Sequence, residues 1–163
     1  QWSSSAASDV YKRQDFVISE DFLNKPNNLM PKLIESAKKN INSIDIYGND
    51  YATKDGTGER DYIHIQDLVE GHLKAIEKLK VIENIEFYNL GTGNPISVIE
   101  LIDTFNRVNE LNIKKNFVAR RSGDVEVCYA DPSKAMHELE WKAKYNLAEM
   151  CRDAWAAVNY ELK

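Results

Sequence analysis

The feature that most constrains this chain is the stretch from Tyr47 to Asp67, Tyr-Gly-Asn-Asp-Tyr-Ala-Thr-Lys-Asp-Gly-Thr-Gly-Glu-Arg-Asp-Tyr-Ile-His-Ile-Gln-Asp. It follows an alternating run, Ser43-Ile44-Asp45-Ile46-Tyr47, which predicts a strand with one buried face. Asn49, Asp50, Asp55, Gly56 and Gly58 are turn formers, so the stretch is a loop. Yet it also holds Tyr47, Tyr51, Arg60 and Tyr62, side chains that suit recognition more than connection. Arg60 is a planar donor fitted to phosphate or carboxylate, and the Tyr47 ring suits a planar ligand. A surface hairpin with an Arg salt bridge is the competing reading of the same residues.

The rest of the chain predicts alternating helices and strands. Leu29, Met30, Leu33, Ile34 and Ala37 have helical spacing, with Pro31 tolerated because it lies in the first turn. Tyr62-Ile63-His64-Ile65 alternates as a strand. Asp67 as N-cap, with Glu70 three residues on, predicts a helix whose buried face is Leu68, Val69, His72, Leu73, Ile76 and Leu79. Ile85 to Leu90 reads as a strand ending at Gly91-Thr92-Gly93, and Ser97 with Glu100 as a capping box before Val98, Leu101, Ile102, Phe105 and Val108. The third glycine of a dinucleotide fingerprint is missing there and Asn94-Pro95 delays the helix, so the glycines predict a turn and no cofactor. Asn116 to Ala119 and Val125 to Ala130 predict short strands around an Arg120–Asp124 turn. Asp131-Pro132 predicts a helix start, and Asn146 with Glu149 opens a last helix with Met150, Cys151, Ala154, Trp155 and Val158 on one face.

Composition excludes several classes. A length of 163 residues suits one globular domain, and a net charge of -5 disfavours nucleic acid as a bulk partner. Cys128 and Cys151 have neither metal-ligand nor redox spacing, which fits a reducing cytoplasm, and no apolar run reaches membrane-spanning length. His64, Asp67 and His72 lack the helix phase to converge on a metal. Neither a nucleophilic triad nor an acid pair stands out.

The order of segments adds a resemblance. Gly48-Asn-Asp-Tyr, Asp55-Gly-Thr-Gly, Arg60-Asp-Tyr-Ile-His and Asp67-Leu, with Pro26-Asn27-Asn28-Leu29-Met30-Pro31 before them and Tyr88-Asn89-Leu90-Gly91 and Arg120-Arg121-Ser122-Gly123-Asp124 after, closely resemble the UDP-glucose 4-epimerase family of extended short-chain dehydrogenases. The likeness runs from about Ile18 to the C-terminus. It implies an α/β fold, the UDP-sugar-binding C-terminal half of such an enzyme, with the Tyr88 strand belonging to a Rossmann sheet that this chain does not carry. It places Asn28, Leu29, Asp45, Ile46, Tyr47, Arg60, Arg121, Asp124 and Cys128 at the substrate. In that pattern Asn28 and Leu29 lie at a helix start in the UDP site, and Asp45 to Tyr47 form the strand beside uracil. Arg60 and Arg121 meet the pyrophosphate, Asp124 the ribose, and Cys128 the sugar end, where family members carry a small residue or a Tyr.

The family's glycine-rich unit and Tyr-x-x-x-Lys pair have no match here, so the resemblance implies no catalytic residue, no NAD site and no activity in this chain alone. The intact enzyme would be a cytoplasmic homodimer in which NAD takes a hydride from the sugar C4 and returns it to the other face, interconverting UDP-glucose and UDP-galactose. A nucleotide-sugar dehydratase or decarboxylase, and a non-catalytic nucleotide-binding module, are the alternatives. Residues 1–14 match nothing in the family. Asp9-Val10-Tyr11-Lys12-Arg13-Gln14 looks like the translation of a sequencing-library adapter, so 1–14 is expected to be a non-native, unstructured tail and 15–163 the domain.

Overall fold

The computed structural model describes residues 28–80 and 84–160. The tail and the Pro26-Asn27 pair lie outside the described residues. Helix α1 spans Leu29–Lys38, starting after Asn28 in an extended conformation, with Pro31 in its first turn. Strand β1 is Ser43–Tyr47, and its burial alternates as its sequence does, Ile44 and Ile46 inward.

Strand β1 pairs in parallel with β4, Lys114–Val118, in a two-stranded sheet with Ile46 opposite Phe117. Parallel strands need a long crossover, and the chain supplies one that includes helices α2, Ile65–Lys78, and α3, Val98–Val108. A core of Leu33, Ile44, Ile46, Leu101, Ile102, Phe105, Ile113 and Cys151 forms where α1, α3 and α5 (Leu147–Tyr160) meet this sheet. Phe105 meets Trp155 edge to face, ring centroids 6.1 Å apart.

The second sheet is small. Strand β2, Glu59–Arg60, pairs antiparallel with β3, Ile96–Ser97, and parallel with β5, Val127–Cys128. Helix α4, Ser133–Glu138, follows, with the Asp131 carboxylate accepting from the Ser133 amide at 3.0 Å in the manner of a cap, while Pro132 stands just before the first helical residue. Asn146 and Glu149 exchange side-chain and backbone bonds of 3.0 and 2.8 Å, a reciprocal capping box at the start of α5. At α3 only half of the box forms. Ser97 accepts from the Glu100 amide at 3.0 Å, but the Glu100 carboxylate holds Lys54 instead.

Four expectations need correction. The Tyr62–Ile65 strand is absent, and the short ladder lies just before it at Glu59–Arg60. Helix α2 starts at Ile65, not beyond Asp67: His64 is the N-cap, its Nδ1 accepting from the Gln66 amide at 3.1 Å. Asp67 is fully buried, its Oδ2 accepting from the Lys144 and Tyr145 amides, both at 3.0 Å. Finally, the far half of the α2 face is bare. His72, Leu73, Ile76 and Leu79 are exposed, because only the near half packs, with Gly71 against Leu90 and Trp141. Ile85 to Leu90 forms no ladder, since a strand needs a neighbour and none of the described residues pairs with it; Ile85 and Phe87 are 84% and 74% exposed.

Candidate functional site

The end of β1 builds the first half of the site. Asp45 faces solvent and accepts from Asn116 Nδ2 at 2.7 Å across the ladder. Ile46 points into the core at 1% exposure, so anything it offers a ligand is backbone. Tyr47 closes the strand half-buried, with the Arg121 guanidinium 3.6 Å from its ring centroid and Lys32 Nζ at 5.5 Å. Hydrogen-bonding approach by Arg121, then the charge of Lys32, holds the Tyr47 phenol below its ordinary pKa. The ring therefore already carries a planar cation where a planar ligand was expected.

Gly48 then turns the chain with φ +86°, and a Cβ there would stand 2.6 Å from the Tyr51 ring and 2.8 Å from Arg120 Cγ. That close approach seats Arg120 over Tyr51, 4.0 Å to the centroid, and against Asp50, Nε to Oδ1 2.6 Å. The adjacent arginines thus divide their work. Arg120 anchors the loop, while Arg121 reaches the Tyr47 ring without any carboxylate partner among the described residues.

Segments 48–61 and 118–130 run side by side. Gly48 N donates to Val118 O at 2.9 Å, Ala52 N to Glu126 Oε1 at 3.4 Å, Glu59 N to Glu126 O at 2.8 Å and Asp61 N to Cys128 O at 3.2 Å. This zipper fixes Arg121 near one end and Arg60 near the other. Arg60 is half-buried on β2, its Nη1 donating to the Glu59 carbonyl at 2.8 Å and the Glu126 carbonyl at 3.4 Å. Nε and Nη2 carry no bond to the described residues, which leaves a charged fork for an anion. Exposed Cys128 is its register partner on β5.

The loop that carries these groups is held from inside. Tyr51 N donates to Gly56 O at 3.0 Å, and Thr57 is fully buried. Asp55 accepts from the Thr57 amide at 2.9 Å, from the Thr57 hydroxyl at 2.7 Å and from the Ser97 hydroxyl. Burial opposes the Asp55 charge, but these donors outweigh it and hold the pKa below the usual carboxylate range.

Asn28 is exposed at the start of α1 and spends no side-chain bond on the cap; its carbonyl accepts from Lys32 N at 3.2 Å. Leu29 packs on the core cluster behind it. Asp124 is exposed in the turn after Arg121, whose carbonyl accepts its amide at 3.4 Å. The structure therefore brings Arg121 onto the Tyr47 ring, with Asp124 in the same turn as Arg121, and sets Arg60 with Cys128 on the second sheet.

Sequence reasoning missed Lys32, Arg120 and Asp61. The Asp61 carboxylate accepts from Thr92 N, Gly93 N and Ala130 N at 3.0, 3.1 and 3.2 Å and from the Thr92 hydroxyl. An acidic group thus fills the amides of the Gly91-Thr92-Gly93 turn, which does not fit a dinucleotide pyrophosphate there. The signal was present, because amides of a Gly-x-Gly turn need an acceptor and Asp61 is the acid that follows Arg60. His64 is spent otherwise, capping α2, stacked on Tyr145 at 4.2 Å and 3.2 Å from Asp153; among the described residues no cluster of three ligands could hold a metal ion.

A family model described as GDP-mannose 4,6 dehydratase matches residues 19–154. UDP-glucose 4-epimerase of Bacillus subtilis is 49% identical over 138 residues, covering 85% of this chain and 41% of that protein. UDP-glucose 4-epimerase from Stenotrophomonas maltophila, solved with NAD and formylated UDP-arabinopyranose, superposes with a TM-score of 0.84 at 40% identity, covering 89% of this chain and 43% of that one. The enzyme from Bifidobacterium longum, solved with NAD+ and UDP, gives 0.80 at 38% identity, covering 88% and 42%. The chain thus spans about two-fifths of the length of these relatives. With the parallel pair β1–β4, the zipped loops and this match over most of its length, the chain belongs to the GDP-mannose 4,6 dehydratase family of extended short-chain dehydrogenases.

Proposed function

We propose that this chain forms the UDP-sugar-binding part of an NAD-dependent UDP-glucose/UDP-galactose 4-epimerase. The observation that carries the reading is the pair Arg121 and Arg60, fixed near opposite ends of one backbone zipper with guanidinium donors left for an anion. A diphosphate needs such donors from two sides. Asn28 and Leu29 at the α1 start would line the UDP site, the Asp45–Tyr47 edge would hold the uracil, Asp124 the ribose, and Cys128, beside Arg60, the sugar end. Relatives solved with UDP or a UDP-sugar support the ligand class.

Asp61 occupies the amides of the Gly91-Thr92-Gly93 turn, so that turn cradles no NAD pyrophosphate. The cofactor belongs to the intact enzyme, where it supplies hydride transfer at the sugar C4; that enzyme is a cytoplasmic homodimer in this reading. No helix of the described residues is long and apolar enough to cross a membrane.

A chimera tests the assignment. Residues 19–163 are joined to the part of the Bacillus subtilis relative that this chain does not match, and UDP-galactose is supplied. Appearance of UDP-glucose is the expected result. A folded, NAD-loaded chimera that releases a dehydrated 4-keto sugar would mark a dehydratase instead, and one that leaves the substrate untouched would overturn the epimerase reading.

A further inference from the structure

Lys32 is assigned no role by its helix. It lies in the first turn of α1, half-exposed, and its ammonium reaches past its own helix to within 5.5 Å of the Tyr47 ring centroid. The Arg121 guanidinium lies 3.6 Å from the same centroid. Two cations thus share one aromatic ring. The chain has 26 acidic against 21 basic residues, so counter-charges are plentiful. Lys39, Lys54, Lys115, Lys134, Lys144 and Arg120 all hold carboxylates. Lys32 and Arg121, like Arg60 and several other described cations, hold none among the described residues, and what sets the two apart is that they meet at one ring. Asp45, two residues before Tyr47 on β1, has its carboxylate engaged by Asn116. Like charges gathered without a counter-ion repel, and that cost is relieved by an anion arriving between them.

We infer that Lys32 is a third cation of the nucleotide-sugar site, acting with Arg121 across the Tyr47 ring to attract the diphosphate. The inference rests on the UDP-sugar reading of the same site. Tyr47 has a defined part in it: its ring holds both cations in place before the ligand arrives, which lowers the entropy lost when they close on it. Because Lys32 is half-exposed, its share is that of a screened surface charge and depends on salt.

The 163-residue chain is titrated with UDP and, separately, with uridine, at low and high salt, as wild type, Lys32→Met and Lys32→Arg. Met keeps the helix former and the apolar stem and removes only the charge. Lys32→Met should weaken UDP binding about two- to fivefold, the range of an exposed charge pair, and flatten its salt dependence. Uridine, which has no phosphate, should bind all three proteins equally, and Lys32→Arg should keep the wild-type affinity for UDP. If wild type binds UDP and Lys32→Met binds it equally well with the same salt dependence, the role of Lys32 is refuted while the site stands. If uridine weakens as much as UDP, Lys32 acts on the base or the helix and the inference fails. If wild type binds no UDP, the nucleotide-sugar reading falls and takes this one with it.

Discussion

Arg60 stands opposite Cys128 in the parallel ladder between β2 and β5, so the residue read as a phosphate donor and the residue read as a sugar-pocket wall are neighbours on one sheet. A Tyr ring in place of the exposed thiol would rise beside the Arg60 fork and fill the space next to it. A wall can reject a larger substrate while every attractive contact is kept. The chimera described above should therefore turn over UDP-N-acetylglucosamine, and Cys128→Tyr should abolish that while sparing UDP-glucose. No turnover by the Cys128 form, or equal turnover by the Tyr form, would show that this position sets no size limit.

Asp61 carries the junction of the second sheet. Its carboxylate satisfies three backbone amides and one hydroxyl, and a Cβ on Gly91 would come within 2.5 Å of its Oδ2 and 2.6 Å of Ala130 Cβ. Asp61→Ala should cost about 1 to 3 kcal/mol in urea unfolding, the penalty for stranding donors that are partly withdrawn from water. Gly91→Ala should destabilise by about as much through overpacking. Midpoints equal to wild type would mean that water or another acceptor replaces the carboxylate freely.

Alkaline pH should loosen the main core. Burial pushes the Cys151 thiol up to about 12 and the Tyr62 phenol up to about 12. A thiol in the unfolded chain titrates near ~8.5 and a phenol near ~10. Both groups are favoured neutral in the fold, so their stabilisation is complete below those unfolded values and is lost as pH rises toward 12. Stability should begin to fall above pH ~8.5, by at most about 1.4 kcal/mol per pH unit for each group. Cys151→Ala should lower stability at neutral pH and remove the part of the slope that begins near ~8.5. A Cys151→Ala profile parallel to wild type would exclude the thiol as its source.

Much of this architecture was legible in the residues, and the failures have physical causes. Strand β1 was readable because Ile44 and Ile46 alternate against polar neighbours, and α5 because Asn146 and Glu149 cap it within four residues. Local chemistry settles both. The start of α2 was misread because Asp67 looks like a cap in isolation, whereas its carboxylate is claimed by amides 77 and 78 residues away. Lys32 was invisible as a site residue for the same kind of reason: helical spacing says where it points on α1, but not that Tyr47 and Arg121 wait there. The resemblance picks Arg121 over Arg120, and the turn at Gly48 adds what the sequence does not show, that Arg120 is seated on Tyr51 and Asp50.

The bare face of α2 predicts a solution property. Leu73, Ile76 and Leu79, with Ile85 and Phe87 on the following segment, are 57 to 84% exposed. Apolar side chains left bare in this way promote association. The chain should scatter light and bind an apolar dye at micromolar concentration, and Ile76→Glu with Phe87→Ser should reduce both while leaving the helical circular dichroism unchanged. A monomeric wild type with no dye binding would show that these residues are covered in solution.

Calorimetric titration of the chain with UDP asks whether Arg60 and Arg121 hold the diphosphate of a UDP-sugar from two sides. Saturable binding to wild type is expected, weakened by about 1.5 to 3 kcal/mol in each of Arg60→Ala and Arg121→Ala, the range for hydrogen bonds to charged groups. Absence of binding to the folded wild-type chain, or an unchanged dissociation constant in both variants, would contradict it.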